Sequence, residues 1–146
     1  MSLDQYNLKA DEAFMSFEFI SKGPKGEIIK LIQYTELDRG DIYNLGFGDK
    51  DELTGGINDT VITDNKDREK VLATVVASVY VFTTYYPHTW IFLEGSTQSR
   101  TRLYRMAISI YFDELNKHFN IFGFAENKWM AFKKDSDYTA FLIKRK

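Results

Sequence analysis

The stretch "FMSFEFISKGPKGEIIKLIQYT", residues 14–35, constrains the chain more than any other. Met15, Phe17 and Phe19 alternate with Ser16 and Glu18, the period of a half-buried strand. The Gly-Pro-Lys-Gly turn that follows joins paired strands, and the β-branched run after it supplies the second arm. "DIYNLGFGD" alternates again, Tyr43, Leu45 and Phe47 against Asn44 and Gly46, and extends the hairpin to a three-stranded antiparallel meander.

Past Asp49 the pattern changes. Residues 49–69 hold seven acids against three basic residues around Gly55-Gly56, a polar loop region with a short strand expected at "TVIT". Leu72, Val75, Val76 and Val79 then recur at helical spacing, after a cap at Asp64 or Asn65 and before a stop at Pro87. The apolar window Val71–Phe82 is too short for a membrane span and reads as a buried helix. "TWIFLEG" is a short strand, and Ser96 or Thr97 caps a second helix with Leu103, Ala107, Ile110 and Tyr111 inward and Arg102, Arg105 and Ser109 outward. "NIFGFA", "KWMAFKK" and "YTAFLIKR" close the chain as strands, with a turn at Glu126-Asn127. The order predicts one α+β domain over residues 1–146: an antiparallel meander followed by α-β-α-β, a single mixed sheet with two helices packed on it.

With 146 residues, 44% of them hydrophobic, the chain can bury a core without metal or disulfide support. It has no cysteine, which rules out thiolate metal sites and cysteine nucleophiles, and its net charge of −2 gives no global attraction to polyanions. The N-terminus lacks the basic and apolar regions of a secretory signal, so a cytoplasmic protein without membrane partners is expected.

"EGSTQSRTRLYRM" is the segment that carries chemistry. A helix start presents unpaired N–H groups and partial positive charge suited to an oxyanion. Gly95 permits close backbone approach, Ser96, Thr97 and Ser99 add hydroxyls, and Arg100, Arg102 and Arg105 add forked charge. Against this stands a structural explanation: a serine or threonine that only caps, with arginines paired to the acids of residues 49–69. Aromatic residues near lysines, Tyr43, Phe47, Trp129 and Phe132, suit base stacking but are equally accounted for as core. His88 and His118 lie in no metal-binding pattern and read as surface residues. "LGFGDKDEL" lacks the third glycine of a dinucleotide fingerprint, and "DKDELTGGINDT" lacks the ligands of a calcium loop.

The blocks "GPKG", "YNLGFGD", "DREKVLATV" and "EGSTQSRTRLYRM" resemble those of a small family of uncharacterised bacterial proteins of about this length. That resemblance spans nearly the whole chain and implies no site. At the level of topology the element order is also similar to ribonuclease H. This implies acids at Glu18, Glu69 and Glu94, where three converging carboxylates would hold Mg²⁺ for phosphodiester hydrolysis, although the first strand lacks that family's aspartate. The leading expectation is a non-enzymatic module, without cofactor or resident metal, that binds a phosphorylated ligand or nucleic acid at Gly95–Arg105. The alternatives are an antitoxin-like or dimerising interaction protein, including a homo-oligomer, and a metal-dependent nuclease.

Overall fold

The computed structural model describes residues 4–37, 40–58 and 62–146. Eight strands and three helices follow in the order β1 (Lys9–Ala10), β2 (Ser16–Gly23), β3 (Gly26–Glu36), β4 (Ile42–Asp49), α1 (Arg68–Tyr85), β5 (Trp90–Leu93), α2 (Gln98–Ile110), α3 (Phe112–His118), β6 (Phe119–Ala125), β7 (Lys128–Ala131) and β8 (Ala140–Arg145). The strands form one mixed sheet in the order β1-β2-β3-β4-β5-β8-β6-β7, an α+β architecture. β4 and β5 run parallel, Ile42 beside Trp90 and Asn44 beside Phe92. The expected meander is present, whereas the two-residue β1 and the third helix go beyond the expected set. The short strand expected at 60–63 falls partly on residues outside those described.

The chain divides into two compact units, Met1–Tyr34 with Gly46–Tyr85, and Thr35–Leu45 with Tyr86–Lys146. In the first, the β2–β3 hairpin closes at Gly23 and Gly26, the latter at φ +90°, where a side chain would be strained. Phe17, Phe19 and Ser21 on β2 oppose Ile32, Lys30 and Ile28 on β3, and this face is buried except at the half-buried Ile28. α1 packs there: the Tyr34 ring stacks on Phe82 at 4.0 Å, and its hydroxyl meets Ser78 Oγ at 2.8 Å. Leu72, Val75, Val76 and Val79 are buried as expected, but so are Thr74, Ser78 and Thr83. Their hydroxyls donate to Lys70, Val75 and Val79 carbonyls, which lets a helix apolar on nearly every side accommodate them.

The helix starts differently from the expected cap. Asp64 closes a local turn onto the Lys66 amide, and Asn65 turns away to the hairpin, where its side-chain amide donates to the Gly26 carbonyl at 2.9 Å and accepts from the Lys25 amide at 2.7 Å. Asp67 precedes the first turn, its carboxylate taken by the Ser21 and Tyr6 hydroxyls at 2.5 and 2.6 Å. The described end of the acidic segment is therefore fastened to the sheet, with Asn65 only 1% exposed.

In the second unit, Ile91 and Leu93 of β5, Phe141 and Ile143 of β8, and Phe119 and Ile121 of β6 are buried, as are Tyr104, Ala107, Ile108, Tyr111 and Leu115 of the helical segment. The inward stripe of α2 is rotated from the expected one: Arg100 and Tyr104 are buried, while Ile110 is 47% exposed. At Tyr111 the backbone leaves helical geometry, and α3 begins with the next residue. Glu126 and Asn127, both at positive φ, make the tight β6–β7 turn where the sequence placed it.

Candidate ligand-binding pocket at the start of the second helix

β5 delivers the chain at Leu93 into Glu94-Gly95-Ser96, and Thr97 caps α2, its hydroxyl accepting from the Arg100 amide at 3.2 Å. Gly95 is required here by packing. A Cβ on it would lie 2.3 Å from the Thr101 amide nitrogen and 2.7 Å from Arg100 Cβ. Its own amide donates to Thr101 Oγ1 at 3.2 Å, so the residue closes the loop against the first helical turn. The sequence assigned this glycine to ligand approach, whereas the contacts assign it to loop–helix packing.

Beside this junction lies an open cleft of about 570 Å³. Its lining brings together Gly95, Ser96, Thr97, Arg102 and Arg105 of the residues expected at the site, with Glu94 of the carboxylates expected for metal chemistry. Ser99 and Arg100 are absent from the lining; Ser99 is exposed, and Arg100 is buried on the inward side of α2. The facing wall is Asp137, Tyr138 and Thr139, from the loop before β8. Asp137 pairs with Arg105, so one of the two arginines in the cleft already shares its charge. Arg102 is exposed. The sequence pattern places Tyr138 and Thr139 in the strand "YTAFLIKR", but β8 begins only at Ala140 and leaves both in the loop before it. The cleft thus combines two guanidinium groups, two carboxylates and the hydroxyls of a capped helix start, a set suited to holding a polar anion but without a nucleophile–base pair.

The carboxylates proposed for metal chemistry behave otherwise. Glu18 faces Lys50, with Nζ 2.5 Å from its carboxylate. Glu69 stands in the first turn of α1, where the helix dipole favours an acid, and Glu94 follows β5 in the cleft. Among the described residues no group of three or more histidine, aspartate or glutamate side chains could hold a metal ion. His88 is exposed, and His118 lies 3.5 Å from Glu114 within α3. Of the aromatic residues expected near lysines, Tyr43, Phe47 and Phe132 are core and only Trp129 is exposed.

A model of a family of unknown function, DUF6934, matches residues 2–146. The chain belongs to this family. The match agrees with the resemblance carried by "GPKG", "YNLGFGD" and "EGSTQSRTRLYRM", and DUF6934 covers both compact units. For this DUF6934 chain no curated protein and no solved structure matches, and nothing in the comparisons supports the ribonuclease H likeness. Among the described residues no helix is long and apolar enough to cross a membrane.

Proposed function

We propose that the α2 cleft binds a small phosphate-bearing ligand and that the chain acts by binding it, without catalysis. The observation that carries this reading is the convergence of Arg102, Arg105, Ser96 and Thr97 on one open cleft at the capped end of a thirteen-residue helix. Forked guanidinium groups beside hydroxyl donors fit a phosphoryl group better than a lone carboxylate would require. Asp137 tunes the site: it neutralises Arg105 in the free protein and competes with an incoming anion.

The test is a titration of the ¹⁵N-labelled chain with inorganic phosphate, with chloride at matched ionic strength as the control. Amide shifts are expected at Ser96, Thr97 and Gln98. Arg102→Ala should weaken binding about tenfold, and Asp137→Asn should strengthen it by releasing Arg105. Unmoved amides at these positions in saturating phosphate, or an Asp137→Asn variant that binds less tightly, would exclude the site.

A further inference from the structure

The second unit has another surface that its helices leave open. In β5, Trp90 and Phe92 point away from the buried Ile91 and Leu93. The sheet register places Leu142 beside Phe92 and Phe122, and Phe124 beside Trp129. All these residues are partly or fully exposed, Trp129 at 40%. Their rings form two groups: Trp90 with Phe122 at 5.9 Å, and Trp129 with Phe124 at 5.0 Å and Phe92 at 6.2 Å. Lys144 lies over the Trp90 ring at 5.4 Å.

The same face carries Asn44 beside Phe92 and Asn120 beside Lys144, and the outward positions of β5, β6, β7 and β8 hold no carboxylate. In a chain with 21 acids this absence makes a local surface whose only charge on those strands is positive. The face is small. Four strands about 4.8 Å apart, each with two or three outward residues, span roughly 300 Å². A stable protein interface needs about 800 Å² from each partner, so a second copy docked here alone would be held weakly. Nucleobases need less: roughly two or three stacked bases cover a sheet face of this kind, because every base has a π-face and aromatic rings on neighbouring strands offer the matching surface.

We propose that the exposed β5–β8–β6–β7 face binds single-stranded nucleic acid, with bases stacking on Trp129, Phe92 and Trp90 and Lys144 meeting the backbone. This site is separate from the α2 cleft and does not rest on it. Both tryptophans of the chain lie on this face, so intrinsic fluorescence reports its occupancy directly.

The experiment titrates the full chain with an oligothymidylate of about ten residues, long enough to cross the face. Tryptophan emission is followed together with the anisotropy of an end-labelled copy. Quenching is expected, with weaker binding to a duplex of equal length, whose bases are already stacked on each other. Trp129→Ala should reduce affinity about tenfold or more and Trp129→Phe much less, since the ring does the work. Trp129 is exposed on a four-residue strand, and retained far-UV circular dichroism checks the fold of both variants. Lys144→Gln should flatten the salt dependence by about 0.7 in log–log slope, the share of one phosphate contact. Absence of quenching and anisotropy change at millimolar oligonucleotide, or equal affinity in Trp129→Ala, overturns the proposal. A sedimentation dimer that Trp129→Ala dissociates, with no response to oligonucleotide, overturns it in favour of a second copy on this face.

Discussion

Lys30 occupies a position where the strand pattern calls for an apolar side chain. It opposes Phe19 on the inward face of the β2–β3 hairpin and is 1% exposed. Its ammonium is held by Asp49 at 2.5 Å and the Thr63 carbonyl at 2.8 Å, while the other Asp49 oxygen accepts from the Thr63 amide at 3.0 Å. One buried charge thereby fixes the end of β4 and the segment leading to α1. Removing only the lysine leaves a desolvated carboxylate, so Lys30→Ala should cost about 3–5 kcal/mol in urea denaturation. The double change Lys30→Met with Asp49→Leu should recover part of that loss, because neither charge then remains to be desolvated. A Lys30→Ala variant as stable as the parent would mean that the pair contributes nothing. Nothing local in "EIIKLIQYT" marks this lysine as buried, since its partner lies nineteen residues away.

At the scale of elements, the loop into α2 depends on two residues with different duties. Thr97→Ala removes the cap and should cost about 1 kcal/mol. Gly95→Ala inserts a methyl group into the Thr101 backbone and should cost about 2 kcal/mol by overpacking, visible as a lower melting temperature even without ligand. If Gly95→Ala melted like the parent and lost only phosphate binding, the glycine would serve ligand approach after all. The hairpins were legible because their information is local: period-two alternation with Gly23 and Gly26 at one turn, and Glu126-Asn127 at the other. The face of α2 was not, because Arg100 and Tyr104 are amphipathic and only the packed neighbours decide that they turn inward. The break at Tyr111 has no glycine or proline to announce it. The candidate cleft was half legible: its helix side is written in "EGSTQSRTRLYR", whereas Asp137–Thr139 arrive from more than thirty residues away.

At the scale of the whole molecule, Tyr6 in the first compact unit and Tyr43 in the second have phenols pushed above the ordinary value near 10. For Tyr6 the main cause is burial, followed by the hydrogen bond to Asp67; for Tyr43 it is burial and then the Glu36 carboxylate. Above roughly pH 10 the unfolded chain loses these protons while the folded one keeps them, so stability falls as pH rises through that range. Urea midpoints should decline from about pH 9 to 11, and Tyr6→Phe together with Tyr43→Phe should flatten the decline. An unchanged slope in the double variant would assign the alkaline loss to other groups. The interleaved chain also has a consequence for synthesis. All of the first unit has been synthesised once residue 85 is made, but the second cannot close until residues 35–45 are joined by 86–146. Ile42, Tyr43 and Asn44 must wait for Trp90, Ile91 and Phe92 to emerge. A chain ended after residue 85 therefore holds the first unit whole, with residues 35–45 carried along as an orphaned strand segment for a chaperone to shield.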